Sequence, residues 1–206
     1  MEKFLIFIKH HFRFIWRIIE WVNGQMFSLL HRSRLYKVLP GVFRDFSRPP
    51  FIYSLLSLED SEPLFKLINS QNKKDLDYFR PHGFDLLSIK KQFANSSFLM
   101  MGVFDKEDLV GYFFLRFFAN RTCFVGRLID KQYRGSGIGR VMNDIMYHTA
   151  WRMNFRCLST ISRNNAAVMK AHSKNPSMII LKKLKDGYML VEFIDQTRLK
   201  GKAAQH

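Results

Sequence analysis

Three apolar runs at hairpin spacing, residues 98–104, 109–118 and 122–129, lead with no helix between them into the string Arg134-Gly135-Ser136-Gly137-Ile138-Gly139. Asp105-Lys106-Glu107-Asp108 and Ala119-Asn120-Arg121 separate the runs, which is the pattern of antiparallel strands joined by turns. Past the glycines the apolar period changes. Val141, Met142, Ile145, Met146 and Ala150 recur every three or four residues, the stripe of a helix reaching about residue 151. A strand that passes through a glycine cluster straight into a helix is the geometry of an anion cradle. Gly135, Gly137 and Gly139 have no Cβ to keep a phosphate off the backbone, and the first helical turn offers N–H groups without intrahelical acceptors. Arg134 and Arg140 add full charges beside it, so the cradle is read as Gly135, Ser136, Gly137, Ile138, Gly139 and Arg140.

The segments around this unit alternate in type. Residues 51–56 are strand-like, and Ser61-Glu62-Pro63 opens a helix through about Asn69, because proline in a first turn forfeits no hydrogen bond. Shorter helices are expected over 76–79 and 86–93 around the turn Arg80-Pro81-His82-Gly83. After the cradle helix come a strand over 157–161, a helix over 166–174, and strands over 178–184 and 189–194. The order predicts one mixed α/β domain, residues 51–206, preceded by an extension over 1–50.

That extension has its own character. Phe4, Leu5, Ile8, Phe12, Ile15, Trp16, Ile19, Val22 and Met26 share one face at helical spacing, with Lys9, Arg13 and Arg17 opposite. The charges break the apolar run well short of a membrane span, and no small-residue cleavage site precedes Asn23-Gly24, so the segment is expected to stay attached. Two roles fit it: docking on the domain or a second copy, or lying on an anionic membrane through residues 1–30. Residues 35–50, with Pro40-Gly41 and Pro49-Pro50, read as the connector.

Charge narrows the partners. Lys and Arg exceed Asp and Glu by 16, which attracts phosphate-bearing molecules, anionic lipid or nucleic acid alike. No nucleic-acid motif accompanies the charge, so nucleic acid is not the expected partner. Cys123 and Cys157 lie far apart, without metal-ligand spacing, which supports neither a disulfide framework nor a metal site. The expected location is the cytoplasm, or the inner face of its membrane.

The layout resembles the GCN5-related N-acetyltransferase (GNAT) superfamily, whose strand-turn-helix motif reads Gln/Arg-x-x-Gly-x-Gly/Ala. Arg134, Gly137 and Gly139 fill it; Tyr133-Arg134-Gly135, Val110-Gly111-Tyr112 and Asn164-Asn165-Ala166-Ala167 add to the match, which covers about residues 51–195. The resemblance implies a mostly antiparallel sheet of six to seven strands, splayed at the cofactor site. It implies acetyl-CoA, or another acyl-CoA, with its pyrophosphate on the cradle and its pantetheine arm along unpaired backbone at Leu128, Ile129 and Asp130. The implied reaction is direct attack of a primary amine on the thioester through a tetrahedral intermediate.

The residues that move protons depart from the family pattern. Many relatives carry a Glu in the third core strand, and none lies between Thr122 and Ile129. Where many have an acidic Tyr on the helix after the asparagine, this chain has His172, a candidate acid as well as an ordinary packing residue. His82 and Asp85 are candidates on the acceptor side, or polar residues of a turn. Asn164 and Asn165 hold pantetheine or cap their helix, and Arg127 binds substrate or solvates a strand edge. Asn175-Pro176 replaces the usual Gly-Phe. The acceptor is open, with a phosphate-bearing amine such as a nucleotide-linked amino sugar favoured by the basic charge. The rival is a non-catalytic module of the same fold, tethered to membrane, nucleic acid or protein.

Overall fold

A computed structural model describes residues 13–79, 81–172 and 175–196. Seven strands make one sheet: β1 (Ile52–Leu55), β2 (Phe98–Asp105), β3 (Asp108–Phe117), β4 (Thr122–Ile129), β5 (Arg156–Ser162), β6 (Met178–Lys183) and β7 (Tyr188–Phe193). Their spatial order is β1-β2-β3-β4-β5-β7-β6. Every neighbouring pair is antiparallel except β4 and β5. A parallel pair needs a crossover, and the glycine cluster with the helix after it provides one.

Alternation along β2, β3 and β4 sends side chains into two cores. Met101, Val103, Phe113, Leu115, Phe117 and Val125 face one layer, and Phe98, Met100, Tyr112, Phe114 and Leu128 face the other. The first layer is closed by α1 (Arg13–Phe46) and α5 (Ile138–Arg152), the second by α2 (Ser61–Asn69) and α4 (Leu86–Phe93). Burial on both faces explains why these strands read as continuous apolar runs. The short α3 (Lys73–Leu76) precedes the 76–79 stretch where a helix was expected; α6 (Ala166–His172) follows β5. Residues 173–174 and 197–206 lie outside the described residues.

The extension differs most from expectation. Residues 35–46 are not connector: α1 runs through Pro40-Gly41 to Phe46. A proline inside a helix forfeits one hydrogen bond and costs about 3 kcal/mol, yet burying Leu35, Leu39 and Val42 returns about 1.5–3 kcal/mol each, so packing overrides the local break. Pro40 itself points outward, where its ring meets no neighbouring layer. The docked face also differs. Phe27, Leu35, Leu39 and Val42 are buried, whereas Val22 and Met26 of the predicted apolar face are exposed. Phe4, Leu5, Ile8 and Phe12 fall outside the described residues.

Polar contacts fix the helix in register. Asn23 donates through Nδ2 to Ser97 Oγ (3.0 Å) and to the Phe117 carbonyl (2.9 Å), and its Oδ1 accepts from Ala119 N–H (3.0 Å). Glu20 pairs with Arg116, and Asp45 with Arg152 at 2.8 Å. Phe27 stacks on Phe117 at 4.6 Å and meets Phe155 edge-on at 6.3 Å. Phe27→Ala is expected to destabilise the whole domain by about 3–5 kcal/mol, read as a lowered urea midpoint. Separate melting of the helix, with the domain transition unmoved, would contradict this.

Candidate active site

β4 and β5 pair only from Thr122–Arg156 to Phe124–Leu158. Beyond that each strand stays with its other neighbour, β4 with β3 to Ile129 and β5 with β7 to Ser162, and a wedge opens between them. Ser159 marks the parting: its Oγ donates to the Val125 carbonyl at 3.1 Å, taking the acceptor that would continue the ladder. The β3–β4 bonds include Phe118 N–H to Thr122 O and Asp130 N–H to Val110 O. By the two-residue alternation of an antiparallel pair, Leu128 and Asp130 turn their backbone groups to β3. The expectation for those two is thereby corrected. Ile129, and Arg127 before it, turn theirs into the wedge, and the Ile129 carbonyl accepts from Arg134 Nε (3.3 Å).

At the open end lies the cradle. Gly135 (φ +86°) and Gly137 (φ +91°) adopt the left-handed region, and a Cβ on either would meet nothing within 4 Å. Gly137 stands at the start of α5 with no capping side chain. Among the described residues, no acceptor takes the N–H groups of Gly135, Gly137, Ile138 or Gly139. Ser136 and Arg140 donate theirs to Tyr133 O and Gly137 O. Ser136 Oγ also donates to Tyr133 O, at 2.6 Å. These four N–H groups thus lie without acceptors among the described residues at the positive end of the helix dipole, the arrangement that binds phosphate.

The two arginines divide their work. Arg134 turns away from the cradle to Asp75 (2.9 Å) and Gln71 (3.4 Å), and Gln71 in turn donates to Asp130 (3.1 Å). This network holds the turn after β4 rather than a ligand. Arg140 lines a cavity of about 420 Å³ beside the cradle, together with Phe46, Arg48, Phe51, Tyr53 and Ser136. Arg48 belongs to the stretch read as connector, and nothing in its sequence neighbourhood marked it.

Arg127 neither solvates an edge nor reaches solvent freely. Its side chain lies under the wedge against Gly139 and donates to Asn143 on α5; among the described residues no carboxylate pairs with it. Burial holds its pKa below the usual guanidinium value. Tyr147 of α5 lies near it, with a hydroxyl whose own pKa burial pushes well up. His172 is buried against Phe193, ring centroids 5.3 Å apart, with Nδ1 3.3 Å from Asn175 Nδ2. Burial first, then the Arg127 charge, pushes its pKa down to about 4. At neutral pH the ring carries no spare proton, which weighs against an imidazolium acid there.

The acceptor-side candidates also find places. His82 Nδ1 faces the Gly83 carbonyl at 2.7 Å, and Nε2 faces Tyr112 Oη at 2.9 Å. A carbonyl only accepts, so Nδ1 carries the proton and Nε2 accepts from the Tyr112 hydroxyl. Burial lowers the His82 pKa and raises that of Tyr112. Phe79, Phe84, Phe98 and Phe114 surround the pair. Asp85 is the N-cap of α4, accepting from Ser88 N–H at 2.8 Å. Asn165 caps α6 through Val168 N–H (3.1 Å), and Asn164 lies beside it with its N–H on Ser162 Oγ (3.2 Å). Tyr112 entered the sequence reading only within Val110-Gly111-Tyr112, and Asn143 and Tyr147 carry no motif that would mark them.

No family model and no curated protein matches this sequence. Solved structures do match. The PaiA N-acetyltransferase of Thermoplasma acidophilum, crystallised with coenzyme A, is 16% identical over 70% of this chain and 99% of its own, with a TM-score of 0.58. The ribosomal-protein-S5-alanine acetyltransferase of Vibrio fischeri is 16% identical over 73% of this chain and 96% of its own, TM-score 0.58. AAC(6')-Ib, in complex with ribostamycin and coenzyme A, is 12% identical over 73% and 96%, TM-score 0.56. The GNAT domain of S. lividans PAT, 12% identical over 68% of this chain and 88% of its own, matches with a TM-score of 0.60, and the seven-stranded mixed sheet is therefore the GNAT fold.

The His172 environment sets a pH dependence of stability. Its ring is neutral in the fold down to about pH 4 but takes a proton near 6.5 when unfolded, so stability is full above 6.5 and falls as pH drops towards 4. His172→Leu should remove a part of that slope equivalent to about 3 kcal/mol at most, measured by denaturant unfolding across this window. An unchanged slope would show that the ring is not held neutral.

Proposed function

We propose that this chain is an acyl-CoA-dependent N-acyltransferase that uses acetyl-CoA to acetylate a primary amine. The observation that carries the reading is the set of four N–H groups, at Gly135, Gly137, Ile138 and Gly139, that find no acceptor among the described residues, at the open end of the β4–β5 wedge. A pyrophosphate fits such a cradle, and Arg140 and Arg48 at the adjoining cavity suit further phosphate charge. Backbone groups of Arg127 and Ile129 in the wedge suit the amides of an extended arm. Asn165 Nδ2, unused by its cap, suits a carbonyl at the same edge. Neighbours of this fold crystallised with coenzyme A support the choice of ligand.

Bound acyl-CoA supplies a thioester carbon open to attack by a neutral amine, with a thiolate as leaving group. The chain then has two tasks. Arg127 provides fixed positive charge beneath the wedge, which stabilises a thiolate without a proton donor, a role suited to a site whose His172 is neutral. On the other face His82, partly exposed and neutral, is the group available to take, through water, the proton leaving the amine. Indirect proton transfer of this kind suits a β4 that carries no carboxylate.

The large positive charge of the chain favours an amine whose carrier bears phosphate, such as an amino sugar linked to a nucleotide or lipid. The names of the neighbours span a ribosomal protein and an aminoglycoside, so the shared fold leaves the acceptor open.

Acetyl-CoA is expected to raise the melting temperature of the protein, and Ser136→Glu/Arg140→Glu to abolish the shift while leaving the unliganded melt unchanged, since both side chains are exposed. No shift in the unmodified chain would sink the reading. A panel of amines assayed for free CoA release identifies the acceptor. Binding without release for every amine would favour the non-catalytic module. Arg127→Met should lower kcat by about tenfold to a hundredfold while the acetyl-CoA shift persists; unchanged kcat would remove Arg127 from the chemistry.

A further inference from the structure

Helix α1 has two apolar faces, and the domain covers only one. Ile18, Trp21, Val22, Met26, Leu29 and Leu30 lie on the side away from Phe27, Leu35 and Val42, at the three-, four- and seven-residue intervals of a single strip. They are openly exposed, Leu29 at 86%, Trp21 at 66% and Leu30 at 60% of their full areas. A strip of this size on a soluble surface marks an interaction site.

Charge selects the occupant. The described helix has two acidic residues, Glu20 and Asp45, and both are taken by cations of the chain's own domain, Arg116 and Arg152. Arg32, Lys37 and Arg44 flank or continue the strip in exposed positions. Its surroundings are therefore positive, on a chain of formal charge +16. Two copies meeting strip to strip would bring these cations together. Anionic lipid headgroups would neutralise them while the acyl region takes the apolar ridge. The shape agrees, because a helix lying along a domain presents a convex ridge, which a deformable plane accepts without a preformed groove.

We propose that the outer face of α1 lies on an anionic membrane, Trp21, Leu29 and Leu30 entering the headgroup boundary and Arg32 and Lys37 meeting the lipid charge. No helix among the described residues is long and apolar enough to cross a membrane, so the contact is peripheral. The domain-docking and membrane roles stop being alternatives, since they use opposite faces of one helix. The proposal stands independently of the acyl-transfer chemistry.

Co-sedimentation of the full chain with vesicles tests it, using phosphatidylcholine alone or with about a third phosphatidylglycerol. The expected result is binding to the anionic vesicles that weakens at least about tenfold on neutral ones, and at high salt. Leu29→Glu/Leu30→Glu should lose that binding by a similar factor with an unchanged thermal melt, and Arg32→Glu/Lys37→Glu should weaken it while keeping the fold. Light scattering on the eluting protein checks the rival occupant. A dimer that the leucine variant turns into a monomer would overturn the proposal in favour of a second copy. So would anionic vesicles that the unmodified chain ignores, or that the leucine variant binds equally well.

Discussion

The short parallel contact between β4 and β5 is the constraint on which the rest of the structure hangs. Three residue pairs, Thr122–Arg156 to Phe124–Leu158, join the two halves of the sheet, and the strands then part. Were the pairing longer, the wedge would close and the backbone of Arg127 and Ile129 would be spent on a ladder. Were it absent, β1 to β4 and β5 to β7 would be separate sheets sharing only a helix. Ser159 limits it with one hydroxyl, and α5 bridges the parting by packing Met142, Ile145 and Met146 beneath β3, β4 and β5. Crossover, wedge and cradle are thus one unit, because the same glycine turn that begins the helix reverses the chain.

Among the described residues Arg127 donates to the Asn143 amide and meets no carboxylate, and a largely enclosed guanidinium is costly to hold without a counter-ion. The charge makes the region beneath the wedge electropositive, and it accounts for part of the low pKa of His172. One side chain in a strand therefore bears both on what the wedge attracts and on whether the neighbouring His172 carries a charge.

Much of the fold was legible in the sequence because its signals are local. α2, α4 and β4 lie where the helix start, the apolar stripe and the hairpin spacing put them, and the remaining strands within a residue or so. α1 was misread for a physical reason: Pro40-Gly41 is a strong local stop, and the burial that overrides it comes from Phe117, Phe155 and α5, residues distant in sequence. Its docked face was hidden likewise, since the exposed strip of Ile18, Val22 and Met26 carries as strong a helical period as the buried one. The cradle was legible because φ above zero demands glycine. The pairing of Arg134 with Asp75, and the direction of each β4 backbone group, depend on register and lay beyond the motif.

The start of α5 shows what an unfinished helix is for. Most helices close their first turn with a side-chain cap that contributes about 0.5–2 kcal/mol, and Gly137 supplies none. An anion that settles on the N–H donors there acts as the missing cap. Ligand occupancy and helix completion become the same event, and the melting temperature is in effect a gauge of the ligand's concentration.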